Sequence, residues 1–260
     1  MKLSYYPGCT LKAKGKDLEK YALMSAEVLG MEIEEIKEWQ CCGAVYPQVR
    51  DEVAQRLGAV RAIKAAADKG QNVMTLCAAC YNVLKQCHYD LIHDEAFCEK
   101  VGAYEQAGAP FDNQVVHFLE VLRDTIGFDN LAKMVKNPLT DTKIAAYYGC
   151  LLLRPSKKLG FDDAENPTIM EDFIRALGAT PVIYAQRNEC CGGYCAVKNN
   201  EFASKRATEV VASAKEMGAD MMITACPLCL YNLKENSKEK LPVVYFTELL
   251  AKALGVAENE

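Results

Sequence analysis

The chain has 260 residues, of which half are hydrophobic and a quarter are charged, and its formal net charge is −5. This composition is ordinary for a globular protein and argues against nucleic-acid binding, for which a basic surface would be expected. The sequence has no run of 18 apolar residues and does not begin like a signal peptide. We therefore predict no membrane span and a cytoplasmic location.

Short strand-like runs alternate with longer helix-like segments along the chain. The strand-like runs are Lys2–Pro7, Asn72–Leu76, Gln114–Phe118, Lys143–Gly149, Thr180–Ala185, Met221–Ala225 and Pro242–Phe246. Helical patterns between them include Asp17–Gly30 and Arg50–Gly70. This alternation predicts an α/β fold with parallel sheets flanked by helices.

Thirteen cysteines are too many to explain as disulfides in a chain expected in a reducing compartment. Ten of them form two groups of five with nearly the same spacing. We name these the first cysteine set (Cys9, Cys41, Cys42, Cys77 and Cys80) and the second cysteine set (Cys150, Cys190, Cys191, Cys226 and Cys229). The last four members of the second set each lie 149 residues after their counterparts in the first set. The first members, Cys9 and Cys150, are 141 residues apart. In a cytosolic chain such cysteines are more often metal ligands or catalytic groups.

The residues around the cysteines repeat as well, which indicates a duplicated domain. YYPGC, ending at Cys9, matches YYGC, ending at Cys150, and VVHFLEVL (115–122) matches VVYFTELL (243–250). The first half has 21 extra residues between 86 and 114, and the second has a longer loop at 158–167. We predict two pseudo-symmetric Rossmann-like domains, residues 1–138 and 139–260, which meet near the linker-like segment 136–142.

The number and position of the cysteines limit what each set can bind. The leading cysteine and the C-x-x-C motif follow strand patterns, so the five thiols of one half can gather at the carboxyl edge of its sheet. Thiolates select zinc, copper(I) or iron–sulfur centres. Zinc and ordinary cubane clusters take four ligands, so a fifth thiolate suits a polynuclear cluster in which one sulfur bridges two metal atoms. Zinc in one half remains an alternative, because any four of the five thiolates would serve.

A glycine follows each pair of adjacent cysteines. We expect Gly43 and Gly192 to allow a sharp turn, so that both neighbouring thiols face one cluster and the backbone comes close to it.

Three cysteines lie outside the two sets. We interpret Cys87, on a helical pattern, as a core residue and Cys98 as incidental. Cys195 follows Cys191 by four residues and has no counterpart in the first repeat. Both interpretations of Cys195 stay open: a residue that lines the site, or an incidental cysteine.

The histidines and several basic residues give weaker signals. His88, His93 and His117 match no metal-ligand spacing, and Tyr245 takes the place of His117 in the second repeat, so we assign none of them as a proton donor. Basic residues close after the leading cysteines would either meet an anionic substrate group or simply be solvated: Lys12, Lys14, Arg154, Lys157 and Lys158.

The complete motifs resemble a known family. The double cysteine pattern, with the strings TLCAAC, CPLC and LLLRPSKKLGFDDAENP, resembles the cysteine-rich CCG domains of the B-type subunit of heterodisulfide reductase over nearly the whole chain. The same domain occurs in iron–sulfur subunits of glycolate, lactate and glycerol-3-phosphate oxidoreductases, and in some succinate dehydrogenase and thiol:fumarate reductase subunits. The chain has no C-x2-C-x2-C-x3-C-P run, which fits a stand-alone B-type subunit best.

The resemblance implies that each CCG domain holds one non-cubane 4Fe-4S cluster in which a cysteine bridges irons. Each cysteine set would supply the ligands of one cluster, and all ten cysteines would serve catalysis in that role. The family reduces the coenzyme M–coenzyme B heterodisulfide between its two clusters, and a bacterial counterpart would reduce another small disulfide. Electrons would come from a small ferredoxin-like subunit, supplied by a flavin-containing subunit, since this chain has no G-x-G-x-x-G fingerprint.

Two other functions remain open at this point. In the first alternative, the chain would be an iron–sulfur electron-transfer subunit of a flavin or membrane dehydrogenase and would not break bonds itself. Alternatively, zinc would stabilise an interaction subunit. Iron and sulfide analysis separates the zinc protein from the other two, and a disulfide that changes the cluster spectrum favours the reductase.

Overall fold

The computed structural model describes residues 2–44, 52–105 and 111–257, which form two four-stranded parallel sheets. The first sheet contains β1 Lys2–Tyr6, β2 Glu32–Glu35, β3 Asn72–Thr75 and β4 Val115–His117, in the order β2-β1-β3-β4. The second contains β5 Lys143–Tyr147, β6 Thr180–Val182, β7 Met221–Thr224 and β8 Val243–Tyr245, in the order β6-β5-β7-β8. The predicted α/β fold with two repeats is thereby confirmed.

Helices connect the strands. Those of the first half are α1 Cys9–Ala13, α2 Lys16–Val28, α3 Glu52–Ala67, α4 Ala78–His93, α5 Glu95–Gly102, α6 Phe118–Glu120 with the π-helical turn Val121–Ile126, and α7 Phe128–Met134. Those of the second half are α8 Ser156–Leu159, α9 Ile169–Ala176, the 3-10 turn Gly193–Cys195, α10 Asn200–Glu216, α11 Pro227–Glu235 and α12 Phe246–Ala253. Among the helices described, none is both long and apolar enough to cross a membrane.

Of the eight strands in the described part of the chain, seven lie where the sequence predicts them, and the strand that was missed is β2. Its residues, EIEE, are exposed or half-buried, because β2 is an edge strand of its sheet. A strand that buries neither face needs no hydrophobic pattern, so the periodicity gave no signal there. The predicted helices agree with α2 and α3; residues 50–51 of the latter lie outside the described residues, as do 106–110 of the insertion.

The strand registers fix which residues of the two halves correspond. Tyr6 pairs with Thr75 across β1 and β3, and Tyr147 pairs with Thr224 across β5 and β7. The counterpart of Tyr6 is therefore Tyr147, the first tyrosine of YYGC.

Each half packs one helix against the other half across their interface. Helix α12 of the second half packs on α2 of the first, where the Thr247 hydroxyl donates to the Leu18 carbonyl at 2.8 Å. Helix α6 of the first half packs in turn on α9 of the second. The rings of Phe118 and Phe173 each lie 6.2 Å from that of Phe246, so one hydrophobic core runs through both halves. Residues 136–142 contain no helix or strand, and the domain boundary at 138/139 stays a prediction.

The insertions of the two halves lie against each other. Helix α4 is 16 residues long where its counterpart α11 has nine, and α5 follows it. The loop after β5 covers α4, because Tyr81 donates to the Leu159 carbonyl at 3.1 Å and Asn82 donates to the Leu151 carbonyl at 2.7 Å. Lys158, in the longer loop of the second half, also pairs with Asp90, in the extra residues of the first half, at 2.5 Å, so the segments that break the repeat join the halves.

Candidate metal centre

The cysteines of each set lie at the carboxyl edge of their sheet. Cys77 and Cys226 are the N-cap residues of α4 and α11, directly beyond the ends of β3 and β7. Cys9 begins α1 just beyond β1, and Cys150 follows β5. Because β1 and β3 are neighbours, as are β5 and β7, each set draws on adjacent strand ends.

The first cysteine set forms a row of neighbouring thiols. The Sγ atoms of Cys9 and Cys41 are 3.7 Å apart, and those of Cys42 and Cys80 are 3.5 Å apart. Cys77 lies at the N-cap of the same helix, α4, three residues before Cys80. Cys9 and Cys41 are exposed, whereas the other three thiols are buried.

The second set repeats this arrangement. The Sγ atoms of Cys191 and Cys229 are 3.6 Å apart, Cys190 raises the pKa of the Cys150 thiol, and Cys226 lies at the N-cap of α11 three residues before Cys229. Cys190 is exposed, Cys150 is half-buried and the other three are buried. Each set therefore has a buried inner end and an open outer end.

The two sets meet where the halves join. Cys77 and Cys226 face each other at this junction, where Cys226 raises the pKa of the Cys77 thiol. The Ala78 amide donates to the Ala225 carbonyl at 3.0 Å, and the Tyr245 hydroxyl donates to the same oxygen at 3.1 Å. The inner thiols of the two halves thus adjoin, and a substrate space between the sets would have to lie toward the outer thiols.

A cavity of about 190 Å³ opens beside both adjacent-cysteine turns. Ala44 and Tyr194 line it, and the Tyr194 hydroxyl donates to the Ala44 carbonyl across the halves. Arg56 also lines the cavity and pairs with Asp90 at 2.6 Å, while Lys158 pairs with the same carboxylate at 2.5 Å. Two cations on one carboxylate leave this side of the cavity with excess positive charge.

Glycines allow the backbone to approach the thiols closely. A Cβ atom at Gly8 would lie 2.7 Å from the Cys80 sulfur, and one at Gly149 would lie 3.4 Å from that of Cys229. Gly43 and Gly192 have φ of +77° and +80°, which agrees with the predicted turn after the adjacent cysteines. At Gly8 and Gly149 the backbone therefore comes closer to the thiols than any residue with a Cβ atom would easily allow.

Neighbouring thiols favour ionisation of one adjacent cysteine in each half. The hydrogen bond with Cys80 lowers the pKa of Cys42 to about 7, and the hydrogen bond with Cys150 lowers the pKa of Cys190 to about 6. The thiolate is the form that binds metal, so each set offers a ligand that ionises near neutral pH.

The donor atoms fit a soft, polynuclear group better than a single ion. Each set contributes five thiols, whereas a single zinc ion takes four ligands. Soft thiolates also select iron–sulfur clusters, in which a fifth sulfur can bridge two metal atoms. The all-sulfur donor sets therefore fit an iron–sulfur cluster.

A family model described as CCG, a cysteine-rich domain, matches residues 3–85 and 144–234. The chain belongs to the CCG family. Each matched range contains one whole cysteine set, so the predicted resemblance to CCG domains is confirmed.

Two relatives align with nearly the whole CCG chain. The 8-methylmenaquinol:fumarate reductase membrane anchor subunit of Wolinella succinogenes is 31% identical, with 99% of this chain and 93% of the relative covered. A B-type subunit of the ferredoxin/F(420)H(2)-dependent CoB-CoM heterodisulfide reductase of Methanosarcina acetivorans is 27% identical, with 100% and 91% covered. A hypothetical protein from Helicobacter pylori shares the fold alone, with a TM-score of 0.77 and 12% identity over 99% of this chain and 49% of that one.

A buried ion pair, which the sequence analysis missed, supports the leading cysteine of the second CCG repeat. Arg187 donates to Glu171 at 2.5 Å, and Tyr148 donates to the other oxygen of that carboxylate. The Arg187 carbonyl accepts from the amides of Tyr148 and Gly149, which directly precede Cys150. No spacing signal connects these residues, because they come from separate segments that only the fold brings together.

The remaining candidates divide into core and surface residues. Cys87 is buried, as predicted, and burial raises the pKa of its thiol to about 12. Cys98 is half-buried, and Cys195 is exposed on the 3-10 turn beside the second set.

Three of the five basic candidates already have acidic partners. Lys12 pairs with Glu35 at 2.6 Å, Arg154 pairs with Glu165 at 3.0 Å, and Lys158 pairs with Asp90. Lys14 and Lys157 are exposed, which agrees with the solvated interpretation for these two side chains.

His117 lies at the junction of the two CCG repeats. It is fully buried, and its Nε2 atom lies 2.8 Å from the Leu76 carbonyl oxygen. The Tyr245 hydroxyl, at the corresponding position of the second half, donates to the same oxygen at 2.6 Å. The two residues therefore tie the C-x-x-C motifs together rather than act as free acids or bases.

We expect the burial of His117 to make the protein less stable in mild acid. Burial lowers the pKa of His117 to about 4, below its unfolded value near 6.5, so the unfolded chain binds a proton that the folded chain does not. This contribution to stability is fully present above pH 6.5 and is lost as the pH falls toward 4, up to about 3 kcal/mol. Urea unfolding at pH 7.5 and pH 4.5 measures it. The H117Q variant should lose less stability over this range; an equal loss in both proteins would contradict the assignment.

Proposed function

We propose that the chain is the catalytic B-type subunit of a heterodisulfide reductase-like complex and reduces a small disulfide. Each cysteine set would hold one non-cubane 4Fe-4S cluster. The observation that carries the proposal is the junction of the two C-x-x-C motifs, where the Ala78 amide donates to the Ala225 carbonyl at 3.0 Å and brings the two sets of five thiols beside one another. Several relatives that are named as B-type subunits of heterodisulfide reductases support it.

The chemistry requires two electrons for each disulfide. Two electrons and two protons convert one disulfide into two thiols. When bound, a cluster of this kind supplies one electron at a time. The chain's own contribution is to hold two such groups side by side, to bury their inner thiols and to keep the outer thiols Cys9, Cys41 and Cys190 exposed. The cavity lined by Ala44, Arg56 and Tyr194, beside the turns that carry the adjacent cysteines, would offer space for the substrate.

The same proposal includes partner subunits and a reducing compartment. Electrons would reach this chain from a small ferredoxin-like subunit, supplied in turn by a flavin-containing subunit. Relatives that are named as subunits of larger reductases support this organisation. Ten thiols kept reduced for metal binding are consistent with a cytoplasmic location.

Iron analysis is the direct test of the proposal. Anaerobically prepared protein should contain about eight irons and a matching amount of sulfide per chain, the content of two four-iron clusters. Adding the coenzyme M–coenzyme B heterodisulfide, or a panel of small disulfides, should change the spectrum of the reduced clusters. A protein that holds zinc and no iron would exclude both iron–sulfur functions.

A second candidate is electron transfer within a fumarate reductase-type complex. The 31% identity to the Wolinella succinogenes protein over 99% of the chain favours it. In that case the iron content would be the same, but no disulfide would change the cluster spectrum, and the reduced clusters would be reoxidised by a fumarate-reducing flavoprotein partner.

A further inference from the structure

In the first half, a buried tyrosine holds the turn that carries the adjacent cysteines. The Tyr6 hydroxyl donates to the carbonyl oxygen of Gln40, the residue immediately before Cys41. Tyr6 is the last residue of β1, and none of its surface is exposed. The segment from 37 to 44 has no helix or strand, so its carbonyl groups need partners from elsewhere.

The second half contains the same hydrogen bond. Tyr147, the last residue of β5, donates to the carbonyl oxygen of Glu189 at 2.7 Å, and Glu189 immediately precedes Cys190. Tyr147 is also completely buried. Since the registers make Tyr147 the counterpart of Tyr6, this bond joins corresponding atoms in two halves of different sequence.

Both tyrosine rings also lie beside the thiols. A Cβ atom at Gly8 would lie 3.6 Å from the Tyr6 ring as well as close to Cys80. A Cβ atom at Gly149 would lie 3.4 Å from the Tyr147 ring and 3.4 Å from the Cys229 sulfur. Each tyrosine therefore connects the end of its strand, β1 or β5, to the turn that carries the adjacent cysteines, and its ring lies beside the thiols of that half.

We propose that Tyr6 and Tyr147 are positioning residues for the adjacent cysteines of their own halves. Each hydroxyl fixes the peptide that precedes the cysteine pair, and this sets the direction in which the two thiols point. Neither residue touches the substrate or supplies a ligand. The role toward a cluster rests on the proposed function, but the hydrogen bond orders the thiols whether or not iron is bound.

The first experiment uses metal-free, reduced protein and measures the thiol labelling rate with N-ethylmaleimide. Cys42 and Cys191 are only 4% exposed, so labelling requires the turn to open. In the Y6F variant Cys42 should react about tenfold faster, the factor that corresponds to one lost hydrogen bond, while Cys191 is unchanged. In Y147F the pattern should reverse. Mass spectrometry of the digested chain gives the rate at each cysteine.

Matched controls separate positioning from general loosening. Y184F removes another buried tyrosine hydroxyl, one for which the described residues offer no hydrogen-bond partner, and it should leave both rates unchanged. Cys87 is fully buried and outside both sets, so its rate reports opening of the core. Unchanged rates at Cys42 in Y6F and at Cys191 in Y147F, or a rise at Cys87 in parallel with them, would overturn the proposal.

The second experiment uses protein loaded with iron under anaerobic conditions. Y6F should alter the electron paramagnetic resonance signature of one cluster and Y147F that of the other, since each tyrosine serves one half. Identical changes in the two variants would refute half-specific positioning. A wild-type chain that takes up no iron would defeat the proposed function, whereas the labelling rates would still decide the role of the tyrosines.

Discussion

Replacing Cys42 with alanine should reduce the iron content from about eight to about four atoms per chain and reduce disulfide turnover to background. Cys42 is a buried member of the first cysteine set, 3.5 Å from Cys80, and its thiol ionises near neutral pH. A two-electron reduction needs both halves, so the loss of one cluster should abolish turnover. C191A should have the same effect through the second set. Iron analysis and a disulfide-reduction assay with reduced viologen measure the two outcomes.

The control for these variants is C87A. Cys87 is fully buried like Cys42, but it lies outside both sets. C87A should keep the full iron content and turnover, with only the small loss of stability typical of a point substitution, about 1 kcal/mol. Full turnover in C42A or C191A would show that these thiols are not required. Equal losses of iron in C42A and C87A would indicate damage to the fold instead.

Replacing Arg187 with methionine should lower the melting temperature by about 10 °C. Arg187 and Glu171 form an ion pair whose side chains are only 8% and 2% exposed. Removal of one partner leaves a buried carboxylate without its counter-charge, which typically costs about 3–5 kcal/mol. For a chain of this size, 1 kcal/mol corresponds to roughly 2–4 °C. Thermal unfolding of the iron-free protein measures the shift without interference from cluster loss.

The matched control is R175M. Arg175 lies on the helix that carries Glu171 and pairs with Asp172 at 2.5 Å, but both side chains of that pair are about half exposed. An exposed pair contributes about 0.2–1 kcal/mol, so R175M should shift the melting temperature by at most a few degrees. Equal shifts in R187M and R175M would show that burial does not decide the contribution. R187M should also speed labelling of Cys150, because the Arg187 backbone anchors the turn before it.

The sequence by itself determined the duplication, the strand ends and the membership of the two cysteine sets. These features are local or periodic: a run of strand-forming residues, a fixed spacing and a repeated string keep their meaning without coordinates. Since ligands gather at the carboxyl edge of parallel sheets, the position of each motif after a strand was enough to predict that the thiols of one half converge. Only β2 was missed, because an exposed edge strand carries no hydrophobic pattern.

The tertiary structure alone decided how the two halves are joined. The packing of α12 on α2 and of α6 on α9, and the hydrogen bond from the Ala78 amide to the Ala225 carbonyl, link segments far apart in sequence. The Arg187–Glu171 pair likewise joins two separate segments within the second half. The structure also showed that the hydroxyls of Tyr6 and Tyr147, which lie three residues before the leading cysteines, reach the turns that carry the adjacent cysteines. Such pairings depend on how whole helices and strands are placed relative to one another. That placement is set by burial of a shared core, so it cannot be predicted from the residue spacing within any one segment.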